Sequence, residues 1–338
     1  MKQFKLAWSV CTLLLLALVT SCSDDDSKAP LAGVEIETKV PSELSQIVIG
    51  RTVTYEANVA SSTKLVRVIW LYDGQEVAQG QTLDLVPDAE GAHTLQLNAV
   101  NAGGESSKTL NLTVLPKEMP TAAIDCKIED NKPVILNHQV VFTAKITSTT
   151  DETHQWLLNG EKVSTEDTYT YVPDELGHMV VELITTNVDG EASATIEFDV
   201  VGPYYKGTFV LNEGNMTQEN GFVSFIDVDG QITDSVYYKA NQRPLGNVVQ
   251  NMWVSKDHIY FISQNGNRMD GDYLVVAAAQ TLKMEYACSD EFASLDNPSS
   301  VAAIDPAHIY VRDADGIQLF NAETKAMTKI EGTSGASQ

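Results

Sequence analysis

Cys22 is the residue whose surroundings point most directly to chemistry. It follows Val19, Thr20 and Ser21, small residues that would admit a peptidase to the bond before the thiol, and its sulfur is a nucleophile able to take a diacylglyceryl group. Ahead of it, Lys2 and Lys5 flank the start of an apolar run from Leu6 to Val19, interrupted by Ser9 and Thr12. The run is shorter than the roughly 20 residues that span a bilayer, so residues 1–21 read as a signal peptide. Lipid chains contribute about 0.8 kcal/mol per buried methylene, and an acylated Cys22 is expected to hold the mature chain on a membrane. Ser23, Asp24, Asp25 and Asp26 open an acidic linker over 22–32 that reads either as an export signal or as a solvated spacer.

Catalytic arrangements are absent from the rest of the chain. The six histidines (93, 138, 154, 178, 258 and 308) form no H-x-x-x-H pair, and there is no C-x-x-C, nucleophile elbow, phosphate loop or G-x-G-x-x-G. His258 and His308 precede matching strands and read as turn residues. Asp227-Val228-Asp229-Gly230 and Asp313-Ala314-Asp315-Gly316 lack the later acidic ligands of a calcium loop and read as hairpins. The chain is therefore expected not to be an enzyme and to carry neither a cofactor nor a metal. What remains is hydrogen-bonding chemistry. Asn212, Glu213, Asn215, Arg243, Gln250, Asn265 and Arg268 fall between strands, where amide and guanidinium groups can orient an amide-rich ligand or a glycan. Turns favour asparagine and glycine for conformational reasons alone. Arg243 is singled out because Pro244 restrains its backbone.

Bulk composition narrows the partners. A net charge of −24, two units more negative once Lys2 and Lys5 leave with the leader, repels nucleic acid and anionic glycans. Hydrophobic residues still make up 43% of the 338, enough for two to three folded domains. Cys126 and Cys288 fall in different domains and are expected to be buried free thiols.

An internal repeat supplies the scaffold. Trp70-Leu71-Tyr72-Asp73-Gly74 matches Trp156-Leu157-Leu158-Asn159-Gly160, Val86-Pro87-Asp88 matches Val172-Pro173-Asp174, and Gly104-Glu105 matches Gly190-Glu191, all 86 positions apart. Asp73-Gly74 and Asn159-Gly160 are hairpin signals. Segments such as Thr94 to Val100 alternate with period two, as half-buried strands do. The reading is all-β, with two tandem Ig-like or PKD-like β-sandwiches at 33–116 and 120–201. Trp70 and Trp156 are expected in their cores, and the sandwiches are expected to act as spacers.

A second period follows. His258-Ile259-Tyr260-Phe261 recurs 50 residues on as His308-Ile309-Tyr310-Val311, and repeats of about 40 to 50 residues with four strands are β-propeller blades. Strands are expected at 206–212, 221–227 and 232–238; at 250–255, 258–264, 272–278 and 281–287; and at 300–304, 308–312, 317–321 and 325–330. A propeller closes with about 4 to 8 blades, so 204–338 reads as an incomplete one and the chain as a truncated gene product. The segments Asn212 to Asn220, Asn241 to Gln250, Gln264 to Asp270 and Asp296 to Ser300 are expected on one face, because strands in a blade alternate direction.

Phe209 to Asn215, followed by Asn241-Gln242-Arg243-Pro244-Leu245-Gly246-Asn247-Val248-Val249-Gln250-Asn251-Met252, resembles the start of the YncE-like propellers of Bacteroides surface lipoproteins. Many of these carry only a domain of unknown function, often behind PKD-like modules, and one branch captures cobalamin above its outer-membrane transporter. The acidic run after Cys22 likewise resembles the surface-export signal of Bacteroidetes lipoproteins, and Asp234-Ser235-Val236 resembles their short O-glycosylation motif. The resemblance implies a lipid-anchored outer-membrane protein facing the cell exterior, with a TonB-dependent transporter as partner and a corrinoid as ligand. The competing expectation is an adhesion or structural surface protein, binding glycan or protein and no small molecule.

Overall fold

The computed structural model describes residues 33, 35–36, 44–61, 63–65, 67–129 and 132–335. Cys22, Ser23, Asp24, Asp25 and Asp26 lie outside the described residues. The chain divides into two compact units, Met1–Lys117 and Glu118–Gln338.

In the first unit, the period-two segments become strands. Gln46–Val48, Gly104–Leu115, Gly91–Asn101, Arg67–Tyr72 and Gln75–Gln79 lie side by side in that order, and Val53–Glu56 pairs with Thr82–Leu85. Inward residues of both sheets, among them Ile47, Tyr55, Trp70, Leu83, Leu97 and Leu112, form one core, as in a β-sandwich. Trp70 is 3% exposed, and its indole N–H donates to the Gly80 carbonyl at 3.1 Å. At the first hairpin, Asp73 has φ 48° and Gly74 φ 80°, the two positive values of a type I′ turn.

The second unit opens with the same design. Val134–Ile135, Gly190–Val201, Gly177–Asn187, Glu152–Leu158 and Glu161–Ser164 make a five-stranded sheet over the three strands Thr121–Cys126, Val140–Thr147 and Thr168–Tyr171. Trp156, Phe142, Leu183 and Phe198 fill its core, and the Trp156 indole donates to the Glu166 carbonyl at 2.9 Å, ten residues on, as in the first copy. In each sandwich the short first strand of the larger sheet runs parallel to the last, Gln46 opposite Thr113 and Val134 opposite Val200. Cys126 and Cys288 are free, but only Cys288 is buried; Cys126 is half-buried at the end of its strand.

Three antiparallel blade-like sheets follow. The first holds Gly207–Asn212, Phe222–Asp227 and Ile232–Thr233. The second holds Val249–Val254, His258–Ser263, Leu274–Ala278 and Met284–Cys288. The third holds Ser300–Asp305, His308–Asp313, Gly316–Asn321 and Ala326–Lys329. Val223, Phe225, Ile259, Phe261 and Val275 belong to one apolar cluster, and Tyr260, Ile262, Val276, Ile309, Val311 and Phe320 to the next, so the period of 50 places successive sheets against each other. The strand expected at 232–238 is not one. It stops after Thr233, and Val236–Asn241 is a short α-helix between left-handed residues Ser235 and Gln242. The helix buries Val236 and Tyr237 against the Phe222–Asp227 strand's cluster, and that packing outweighs the β preference of a Val-Tyr-Tyr run.

Candidate binding face

The loops expected on one face do meet, and their backbones hold one another. Asn265 N–H donates to the Asn247 carbonyl, Gln264 N–H to Val248, Asp272 N–H to Leu245 and Gly221 N–H to Gly246, at 2.8 to 3.1 Å. Gly246 sits at the crossing. A Cβ there would lie 2.3 Å from the Asp272 carbonyl oxygen and 2.1 Å from the Ser263 hydroxyl, so the approach requires glycine.

Most of the candidate side chains are spent inside this construction. Arg243 forms an ion pair with Asp272, whose other oxygen accepts from the Ser289 hydroxyl at 3.0 Å. The Arg243 guanidinium is thus a strut between loops. Gln250 donates to Glu213 at 2.5 Å. Asn212 reaches Ser224 at 3.4 Å. Asn215 turns its side-chain oxygen onto the backbone N–H groups of Thr217 and Gln218 at 2.9 and 3.1 Å, an Asx turn that fixes its loop. Arg268 is exposed and Asn265 half-exposed; neither side chain pairs with another among the described residues. Those two remain available to a ligand. Gln264 donates to Asn297 at 2.7 Å, bringing in the loop before the third sheet.

One residue that sequence reasoning passed over holds the centre. Asn247 is fully buried and donates to the carbonyls of Asn215 and Glu219 at 3.0 and 3.1 Å. Its own side-chain oxygen has no partner, an uncommon state for a buried amide. Next to it Val248 has φ 57°, and Met269 and Asp270 have φ 57° and 62°. Left-handed backbone costs about 1–2 kcal/mol for a non-glycine residue and concentrates where a loop geometry matters to function. Asn247 was visible in sequence only as one more loop asparagine.

The other candidate groups resolve into turns and ion pairs. Asp227 accepts from the N–H groups of Asp229 and Gln231 at 2.9 Å, and Asp313 accepts from Asp315 and Gly316 at 3.0 Å. His258 faces Glu285 at 3.0 Å and His308 faces Asp305 at 2.8 Å. No three His, Cys, Asp or Glu side chains gather as a metal site among the described residues.

Residues 206–338 match the family model described as Domain of unknown function (DUF5074). That span is less than half of the chain. No curated protein matches it. Among solved structures it is similar to a quinonprotein alcohol dehydrogenase-like protein from Bacteroides thetaiotaomicron, at 20% identity and a TM-score of 0.29, over 62% of this chain and 49% of that one. It is also similar to the I-band fragment I67–I69 from titin, at 16% identity and a TM-score of 0.32, over 60% and 77% of the two chains. A third similarity is to fibronectin(III)-like modules of Clostridium thermocellum CbhA, at 16% identity and a TM-score of 0.26, over 49% and 92%. The chain spans about half the length of the first of these.

Proposed function

We propose that this chain is a non-enzymatic, ligand-binding lipoprotein, anchored through Cys22 to the outer membrane and facing the cell exterior. Its blade-like sheets would capture a corrinoid for a TonB-dependent transporter, with the sandwiches as spacers. The observation that supports a binding role is the loop face. Three loops, 212–221, 241–250 and 264–272, are locked by backbone bonds and a buried amide, and Val248, Met269 and Asp270 are held in left-handed conformations that the sequence would not otherwise favour. Rigid loops limit the ordering cost of binding. Arg268 and Asn265 stand on that face with hydrogen-bonding capacity unspent, which suits a neutral, amide-bearing ligand better than a reaction needing a tuned acid or base.

Titration calorimetry of the chain with cyanocobalamin tests this reading. Binding is expected to weaken in Arg268→Ala and Asn265→Ala, whose side chains support no other part of the fold. Arg243→Ala acts instead through loop position. No heat with cobalamin from a folded chain removes the corrinoid reading, and retention on immobilised glycans would then favour adhesion. The anchor is tested separately. Cys22→Ala is expected to release the protein from membranes, and replacing Asp24, Asp25 and Asp26 by Ala to leave it bound but shielded from protease added to intact cells.

A further inference from the structure

The connectors on either side of the second sandwich are held in different ways. The first leads from the Gly104–Leu115 strand to the Thr121–Cys126 strand. Leu115 belongs to the first sandwich, where its carbonyl accepts from the Ile49 N–H at 3.0 Å. Glu118 belongs to the second. Its N–H donates to an Asp189 oxygen at 3.0 Å, and its carbonyl accepts from the Asn187 side-chain amide at 2.9 Å. Asn187 is fixed in turn, donating to the Ser148 hydroxyl at 3.0 Å and accepting from the Asp189 and Gly190 N–H groups at 2.9 and 3.1 Å. Asp189 is buried, yet the sandwich does not require it. The first copy keeps the asparagine as Asn101, whose oxygen accepts from the Gly103 N–H at 2.8 Å, and has that Gly103 in the place of Asp189.

Between these two grips stand Pro116 and Lys117. Both are exposed, and neither makes a hydrogen bond among the described residues. The Lys117 stem passes over Gly50, its Cε 3.4 Å from where a Cβ would lie there, a contact that leaves the backbone unbonded. Proline fixes its own φ and keeps the residue before it extended, so the freedom that remains is ψ of Pro116 and φ and ψ of Lys117. The second connector has no such interval. Val201 is held by the second sandwich, its carbonyl accepting from the Leu136 N–H at 2.8 Å. The next residue, Gly202, donates its N–H to the Gln280 side-chain oxygen at 2.9 Å, and the Tyr204 N–H donates to the Gln280 carbonyl at 3.0 Å. A Cβ at Gly202 would lie 2.2 Å from that carbonyl oxygen, so glycine lets the connector rest directly on the turn between Leu274–Ala278 and Met284–Cys288. The Tyr204 ring then packs edge-on against Phe225, centroids 5.1 Å apart.

We propose that Pro116 and Lys117 are the pivot of the described chain, about which the first sandwich swings, while the second sandwich moves as one body with the blade-like sheets. Folded parts joined by an exposed connector move relative to one another unless something holds them, and the free torsions at 116–117 allow a swing that disturbs neither core. Asp189 confines the freedom to those two residues by binding Glu118 to the second sandwich. Gln280 removes it altogether at the second connector, where it grips with backbone and side chain together. Whatever the blade-like sheets bind is therefore carried along with the second sandwich, and the first sandwich turns independently of both.

Nitrogen-15 relaxation of backbone amides in the full chain tests this, because each rigid body reports its own tumbling time. Strands within 121–201 and 207–329 are expected to share one time, and those within 46–115 to show a shorter one. Lys117→Pro removes no hydrogen bond among the described residues and takes one torsion away, so it should draw the two times together. Amide hydrogen exchange checks the grips. Asp189→Gly installs the residue that the first sandwich carries, so the sheet should keep its register; protection of the Glu118 amide should fall about 2- to 10-fold, the effect of one hydrogen bond, with Gly202 unchanged. Gln280→Ala should lower protection at Gly202 and leave Glu118 unchanged. One tumbling time for all three parts would overturn the pivot, and so would a second sandwich that tumbles apart from the blade-like sheets. A Glu118 amide that exchanges as freely as Lys117 in the unaltered chain would overturn its placement.

Discussion

Gly246→Ala asks how far the candidate face depends on the close approach of its loops. The new Cβ would meet the Asp272 carbonyl oxygen at 2.3 Å and the Ser263 hydroxyl at 2.1 Å. The hydroxyl can rotate away, but the Ser263 Cβ at 2.7 Å cannot, and the carbonyl belongs to backbone and must move as a unit. Overpacking of this kind costs about 1–3 kcal/mol. Displacing the 241–250 segment also strains the bonds from Asp272 N–H to Leu245 and from Gly221 N–H to Gly246, each 2.9 Å and each contributing about 1 kcal/mol. A loss of about 3 kcal/mol is expected, which at an m-value near 2 kcal/mol/M moves a urea midpoint by about 1.5 M. Trp253 is half-exposed on the second blade-like sheet, whereas Trp70 and Trp156 are buried in the sandwiches. Unfolding followed in a variant that keeps only Trp253 of these three, each buried tryptophan replaced by phenylalanine, isolates the affected region. Gly230→Asn, at a turn with nothing within 4 Å of a Cβ, is the matched control. A midpoint unchanged in Gly246→Ala, or shifted equally in both variants, would refute the idea that this contact locks the loops.

Two further outcomes are expected. Burial pushes the Cys288 thiol up to about 12, so at about pH 8 it should resist alkylation in the native chain while half-buried Cys126 reacts, as peptide mass mapping would show; thiolate is the reactive form, and labelling of Cys288 at the native rate of Cys126 would contradict the burial argument. Gln242 closes the Val236–Asn241 helix at φ 56°, and Gln242→Gly should raise thermal stability by about 0.5–1 kcal/mol by removing the left-handed penalty, with no gain counting against that account.

The sandwiches were legible in sequence because each depends on local patterns. The Asp73-Gly74 and Asn159-Gly160 turns, the buried Trp70 and Trp156 and the period-two strands all declare themselves within a few residues. The blade-like sheets were legible from the period of 50, whose strand positions hold to within about three residues, the segment expected at 232–238 excepted. The failures are non-local. Val236 and Tyr237 read as strand because their partners in the core, such as Leu282, are far along the chain. The pairing of Arg243 was not legible because Asp272, 29 residues away, gives no adjacent sign of itself. Asn247 was hidden among other loop asparagines because burial is a property of the assembled loops, and no neighbour in sequence reports it.

The parallel pairing of first and last strands in each larger sheet has a mechanical consequence. In the first sandwich the Ile49 N–H donates to Leu115 and the Thr113 N–H to Ser45, at 3.0 and 2.8 Å; in the second the Leu136 N–H donates to Val201 at 2.8 Å. Tension entering a sandwich through its early strand and leaving through its final one pulls two parallel strands in opposite directions along their length. The bonds between them lie across the pull and are loaded together, not opened one after another from an end. Each sandwich is therefore built to resist stretching along the chain better than peeling at an edge, a property that would suit the spacer role proposed above.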